Sequence, residues 1–133
     1  MRALAPLRVS AGWLVEYNTF VEFGPDRPPT VDDYRWHHTE DLLQIRSCKV
    51  VDGAWQVDPD GFLVDLGWYP DGEPTGAYRL VVVRPDFRGD TVIEVSHREQ
   101  SVICQAIETC IAGITNGAAI PAIAEEVRDV VSR

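Results

Sequence analysis

The sequence predicts an α+β fold: an antiparallel β-meander sheet of about five to six strands packed against one or two C-terminal helices. Three observations predict it. Residues 62–97 read as three β-type runs joined by turn-rich breaks with no helix between them, the pattern of antiparallel connections and not of βαβ crossovers. Upstream, Asp52-Gly53 and Pro59-Asp60-Gly61 punctuate further β-type runs at hairpin spacing. Past His97, apolar residues recur at helical spacing to the end of the chain.

In chain order, residues 1–10 read as a loose leader. Gly12–Phe23 reads as a strand with Trp13, Val15, Tyr17, Val21 and Phe23 on one face; Leu14 and Phe20 break the alternation. The prolines of Gly24–Pro29 end it, because they supply no ladder donors. Thr30 with Asp33 three residues on has the form of a helix start. A short helical turn follows, and the β-branched and apolar residues of Leu42–Val51 then favour a strand. Asp52-Gly53 folds that strand back onto Ala54–Val57.

In Phe62–Tyr69, Phe62, Val64, Leu66 and Trp68 fall on one face, and Asp65 and Gly67 on the other. Tyr78–Arg84 is apolar on both faces and reads as a central strand covered on both sides. Thr91–Ser96 closes the sheet with Ile93 and Val95 inward. Ser96 and Glu99 have capping-box spacing, and Ile103, Ile107, Cys110, Ile111 and Ile114 form one stripe of the helix behind them. Asn116-Gly117 supplies a left-handed stop, and Pro121 opens a second helix with Ile123, Ala124, Val127, Val130 and Val131 on its stripe.

A chain of 133 residues, 45% hydrophobic with four tryptophans, fits a single domain spanning 1–133 with one packed core. The net charge of −9 argues against nucleic acid and against an anionic membrane as partner, since phosphate binding draws on Lys and Arg. Cys48, Cys104 and Cys110 show no paired spacing and read as reduced thiols, which points to the cytoplasm. No stretch has the length or the apolar character of a membrane span or a signal peptide.

Between Lys49 and Arg79 there is no cation, yet Asp52, Asp58, Asp60, Asp65, Asp71 and Glu73 fall there beside Trp55, Phe62, Trp68, Tyr69 and Tyr78. Carboxylates with rigid aromatic anchors suit the docking of a basic protein: opposite fields speed the encounter and aromatics supply hot-spot energy. The residues expected to meet that partner are Asp58, Asp60, Asp65, Trp68, Tyr69, Asp71 and Glu73. Against this stands the plain fact that Asp is a good turn residue.

Asp58-Pro-Asp60-Gly61 with Asp65 has half the look of a calcium loop, but the EF-hand spacing fails and a turn is the simpler assignment. His37 and His38 followed by Glu40 and Asp41 are metal-capable, but adjacent histidines project apart and no HExxH or CxxC accompanies them. They supply the rival reading, a small hydrolase or metal-dependent enzyme. His97 and Cys104 stand too far apart along a helix for a direct hydrogen bond. No phosphate-binding, dinucleotide or nucleophile-elbow motif occurs, so no catalytic residue and no cofactor is assigned.

In Gly12–Asn18, Asp65–Gly72 and Tyr78–Val83 the chain resembles the small immunity proteins of bacterial polymorphic-toxin and contact-dependent inhibition systems. The resemblance rests on these 21 of 133 residues and implies a cytoplasmic antitoxin that binds one cognate toxin domain and blocks its active site. It carries over no individual residue. A homodimer that buries the exposed aromatics against itself is the third reading.

Overall fold

The computed structural model of the chain describes residues 2–24 and 26–133. Its elements are β1 (Trp13–Asn18), α1 (Val31–His37), β2 (Leu43–Val51), β3 (Ala54–Val57), β4 (Leu63–Tyr69), β5 (Ala77–Arg84), β6 (Asp90–His97), α2 (Gln100–Thr115) and α3 (Ile120–Val131). The strands form one six-stranded sheet in the order β1-β2-β4-β5-β6, with β3 on β2, and every pairing is antiparallel. This is the α+β meander with two C-terminal helices that the pattern predicts. β2 is long enough to carry β4 and β3 end to end. Ser47 spans the gap, its N–H donating to the Phe62 carbonyl (2.9 Å) and its own carbonyl accepting from Asp58 (3.0 Å).

Local chemistry explains the boundaries. The Thr30–Asp33 capping box forms at α1. Asp52 and Gly53 both take positive φ (51° and 80°), as a two-residue hairpin turn requires. Gly117 (φ 74°) ends α2 behind Asn116. The capping box expected from Ser96 and Glu99 does not form. Ser96 lies within β6, paired with Arg79, and Glu99 caps α2 with no side-chain bond. Its backbone N–H donates instead to His97 Nδ1 (2.9 Å). The pairing of β5 with β6 runs one residue past Ser96 and takes that side chain away from the helix.

Two further expectations are corrected at the N-terminus. Residues 2–10 are not a loose leader: Leu4 bridges Val21, Ala5 N–H donates to the Phe20 carbonyl (2.8 Å), and Leu7 and Val9 pack against the core. β1 stops at Asn18, whose Oδ1 accepts from Phe20 N–H (3.0 Å) and turns the chain so that Phe20 enters the core. Phe20, one of the two residues that broke the alternation, marks that turn, while Leu14 stays within β1, paired with Arg46 and exposed.

One hydrophobic cluster joins Leu43, Ile45, Val64, Leu66, Trp68, Tyr78, Leu80 and Val82 of the sheet to the stripes of α2 and α3. Both helices therefore cover the same face. On the opposite, outer face Gln44, Asp65, Val81 and Glu94 stand in register across β2, β4, β5 and β6. β5 is covered on both sides only toward its end, where Val83 is buried against Leu63; before it Arg79 is exposed and Val81 half-buried.

Candidate functional site

Acidic and aromatic side chains meet on the outer face of β4. After α1 the chain runs beside this strand: Trp68 N–H donates to the Thr39 carbonyl (2.8 Å) and Leu42 N–H to the Leu66 carbonyl (3.0 Å). Between these bonds Glu40 and Asp41 bulge out, and Gly67 lies beneath the Glu40 carbonyl. A Cβ at Gly67 would stand 2.1 Å from that oxygen and 2.8 Å from the Tyr69 ring, so only glycine fits. Tyr69 lies across the space, its hydroxyl donating to the Glu40 carbonyl at 3.4 Å. Asp71, just past β4, accepts from Glu40 N–H (3.1 Å).

Asp65 sits on the same face between Gln44 and Val81, only 9% exposed. Its Oδ1 is buried with no hydrogen-bond partner among the described residues. Burial, and then the nearby charge of Asp41, push the Asp65 carboxyl up to about 6, against the pull of Gln44 and Arg79. Burial raises Tyr69 too, with Asp65 and Glu40 adding to it. Arg79 is already engaged, its Nε 2.6 Å from Glu94 and its guanidinium 5.5 Å from the Tyr69 ring. Glu40, Asp41, Asp65 and Asp71 enter no ion pair among the described residues. A hollow of about 230 Å³, lined by Tyr17, Asp41 and Gln44, opens beside them.

Of the residues expected to meet a partner, Asp65, Tyr69 and Asp71 come together here. Trp68 does not: it is 2% exposed, with its Nε1 donating to the Glu73 carbonyl (2.8 Å) and its ring edge-on to Tyr78 (4.9 Å). The strand period places it on the helix-covered face, which removes it from any docking surface. Asp58 and Asp60 lie before β4 and Asp71 and Glu73 after it, so seven strand residues, roughly 20 Å, divide the expected single wall. Asp58 Oδ1 accepts from Asp60 N–H (3.0 Å), a local turn bond. Near that far end Trp55 stays exposed with Val50 and Val57.

The cation-free window of the sequence is not free of cations in space. Arg84 packs over Phe62 (4.8 Å) and donates to the Asp60 carbonyl (3.3 Å). Arg98 lies 5.8 Å over Trp68 and donates to the Pro74 and Gly76 carbonyls. Sequence reasoning in turn missed Tyr17 and grouped Glu40 and Asp41 with the histidines. The available signal was Gly67, since a lone glycine inside a strand marks close approach by another backbone.

The two histidines part company. His37 reaches toward Asp33 (4.0 Å), while His38 is buried among Tyr34 (4.4 Å), Trp68 (4.6 Å) and Phe23 (5.0 Å). Its Nδ1 is 3.3 Å from the Asp33 carbonyl, and burial lowers its pKa. No group of three His, Cys, Asp or Glu side chains is placed to hold a metal among the described residues. Burial pushes the Cys104 thiol up to about 11 and the Cys110 thiol to about 12, keeping both protonated. Among the described residues no helix is long and apolar enough to cross a membrane. Compared with protein-family models, with curated proteins and with solved structures, the chain matches none.

Proposed function

We propose that this chain is a non-enzymatic binding protein of the immunity type, a cytoplasmic antitoxin that neutralises a basic toxin domain by docking it on the outer face of the sheet. The observation that carries this reading is the buried Oδ1 of Asp65, an oxygen with no partner among the described residues, set beside Asp41 on a face that no helix covers. A carboxylate in that position is costly unless a cation completes it, and a basic partner would supply one. Glu40, Asp41, Asp65 and Asp71 provide the field that steers the partner. Tyr69 and Tyr17 are the aromatic anchors, in the place first given to Trp68. A standard interface of roughly 800 Å² per side extends from this cluster over the outer face of the sheet.

The test is co-expression with a candidate basic toxin domain. The natural sequence restores growth, and Asp41→Lys with Asp71→Lys abolishes both rescue and measured association. Asp58→Lys with Asp60→Lys, at the other end of β4, leaves both intact. Equal rescue by the first pair would remove the outer face from the proposal.

A further inference from the structure

We infer that the hollow bounded by Tyr17, Asp41 and Gln44 receives one guanidinium or ammonium side chain of the partner protein, held between the Asp41 and Asp65 carboxylates against the Tyr17 ring. This rests on the outer face being a docking surface and narrows it to a single contact. The hollow, at about 230 Å³, falls below the size usual for small-molecule pockets and suits one inserted side chain. Gln44 lines it and is also the register partner of Asp65, so the Asp65 side chain stands next to Gln44 on the same face, one strand further in.

Chemistry selects the occupant. Asp65 Oδ1 has no hydrogen-bond partner, and an acceptor left bare in a desolvated place costs free energy that a charged donor would recover. Asp41 lies close enough to raise the Asp65 carboxyl, so two negative groups converge where the one cation acting on Asp65 is Arg79. Arg79 is committed to Glu94 and Tyr69, and Arg46 pairs with Glu16. Tyr17 is 42% exposed and offers a ring face, on which a guanidinium or ammonium gains a cation–π contact. A hard divalent ion fits poorly, because it wants six or more oxygens and no third metal-capable side chain joins the pair among the described residues.

The test needs no partner. The full-length, isotope-labelled protein is titrated with ethylguanidinium at constant ionic strength, while the carboxyl carbons of Asp41 and Asp65, the Gln44 side-chain amide and the Tyr17 ring are followed by NMR. Saturable shifts confined to these four groups are expected, with affinity falling about tenfold in Asp65→Asn and in Tyr17→Ala. Three results would overturn the inference. These are non-saturating shifts spread over all surface carboxylates, unchanged binding in both variants, or tighter binding of magnesium or calcium at the same two carboxylates. The docking reading fails separately: if Asp41→Lys with Asp71→Lys still binds the toxin domain, that reading falls whatever ethylguanidinium does.

Discussion

β4 buries a polar, titratable neighbourhood on each of its faces, and the two are built in opposite ways. On the inner side His38 is enclosed by Tyr34, Phe23, Trp68 and Tyr78, its Nδ1 faces a backbone carbonyl, and burial holds it neutral. Around it the polar handles are answered: Trp68 Nε1 meets the Glu73 carbonyl and the Tyr78 hydroxyl meets Gln100. On the outer side Asp65 is almost as well buried, yet one of its oxygens has no partner and the largest charge effect on it comes from another acid. A satisfied polar cluster inside a core specifies packing. The Asp65 oxygen has no such answer among the described residues.

Truncation should expose this asymmetry most strongly. Trp68→Ala empties a fully packed inner site and is expected to cost about 3–5 kcal/mol in chemical denaturation. No outer-face change should approach that loss. Next in size is Gly67→Ala, whose Cβ enters the Glu40 carbonyl from the outer side. About 1–3 kcal/mol of destabilisation is expected, together with weaker association with the proposed basic partner as Glu40 and Asp41 are displaced. Loss of stability with association unchanged would separate the bulge from the dock.

Asp65→Asn reverses the sign. The folded carboxyl titrates near 6 and the unfolded one near its ordinary 3.8. The native state therefore keeps the proton to higher pH, and the stability this group contributes is full below about 4 and lost as pH rises through 6. Removing the charge should stabilise the fold by about 1–2 kcal/mol at pH 7 and by nothing measurable at pH 4, while weakening association at pH 7. Stabilisation equal at both pH values would mean that the carboxylate is not strained by its setting. The smallest effect belongs to His38. Its folded pKa is depressed, so its contribution is present above about 6.5 and is lost as pH falls below that value. His38→Gln should flatten that acid-side decline, which runs opposite in slope to the Asp65 effect.

Turn residues and periodicity made most of the fold legible before any coordinates. Asp52-Gly53, the Thr30–Asp33 box, Asn116-Gly117 and the two isoleucine- and valine-rich stripes act through contacts a few residues apart, so their outcome is written locally. Where local signals competed with sheet pairing, pairing prevailed: Ser96 joined β6 instead of capping α2. The short N-terminal segment, with no periodicity of its own, was held by Phe20 and Val21.

By itself the sequence determined an antiparallel α+β sheet backed by two helices, a surplus of carboxylates, and the alternation that puts Asp65 and Trp68 on opposite faces of one strand. Only the tertiary structure decided which of those carboxylates share a surface. Helices on one side left Asp65 on the bare face, and the tight passage over Gly67 carried Glu40 and Asp41 there from another part of the chain. The physical reason is range. Strand and turn preferences act over a few bonds, whereas charges gather by distance in space, which the order of residues does not encode.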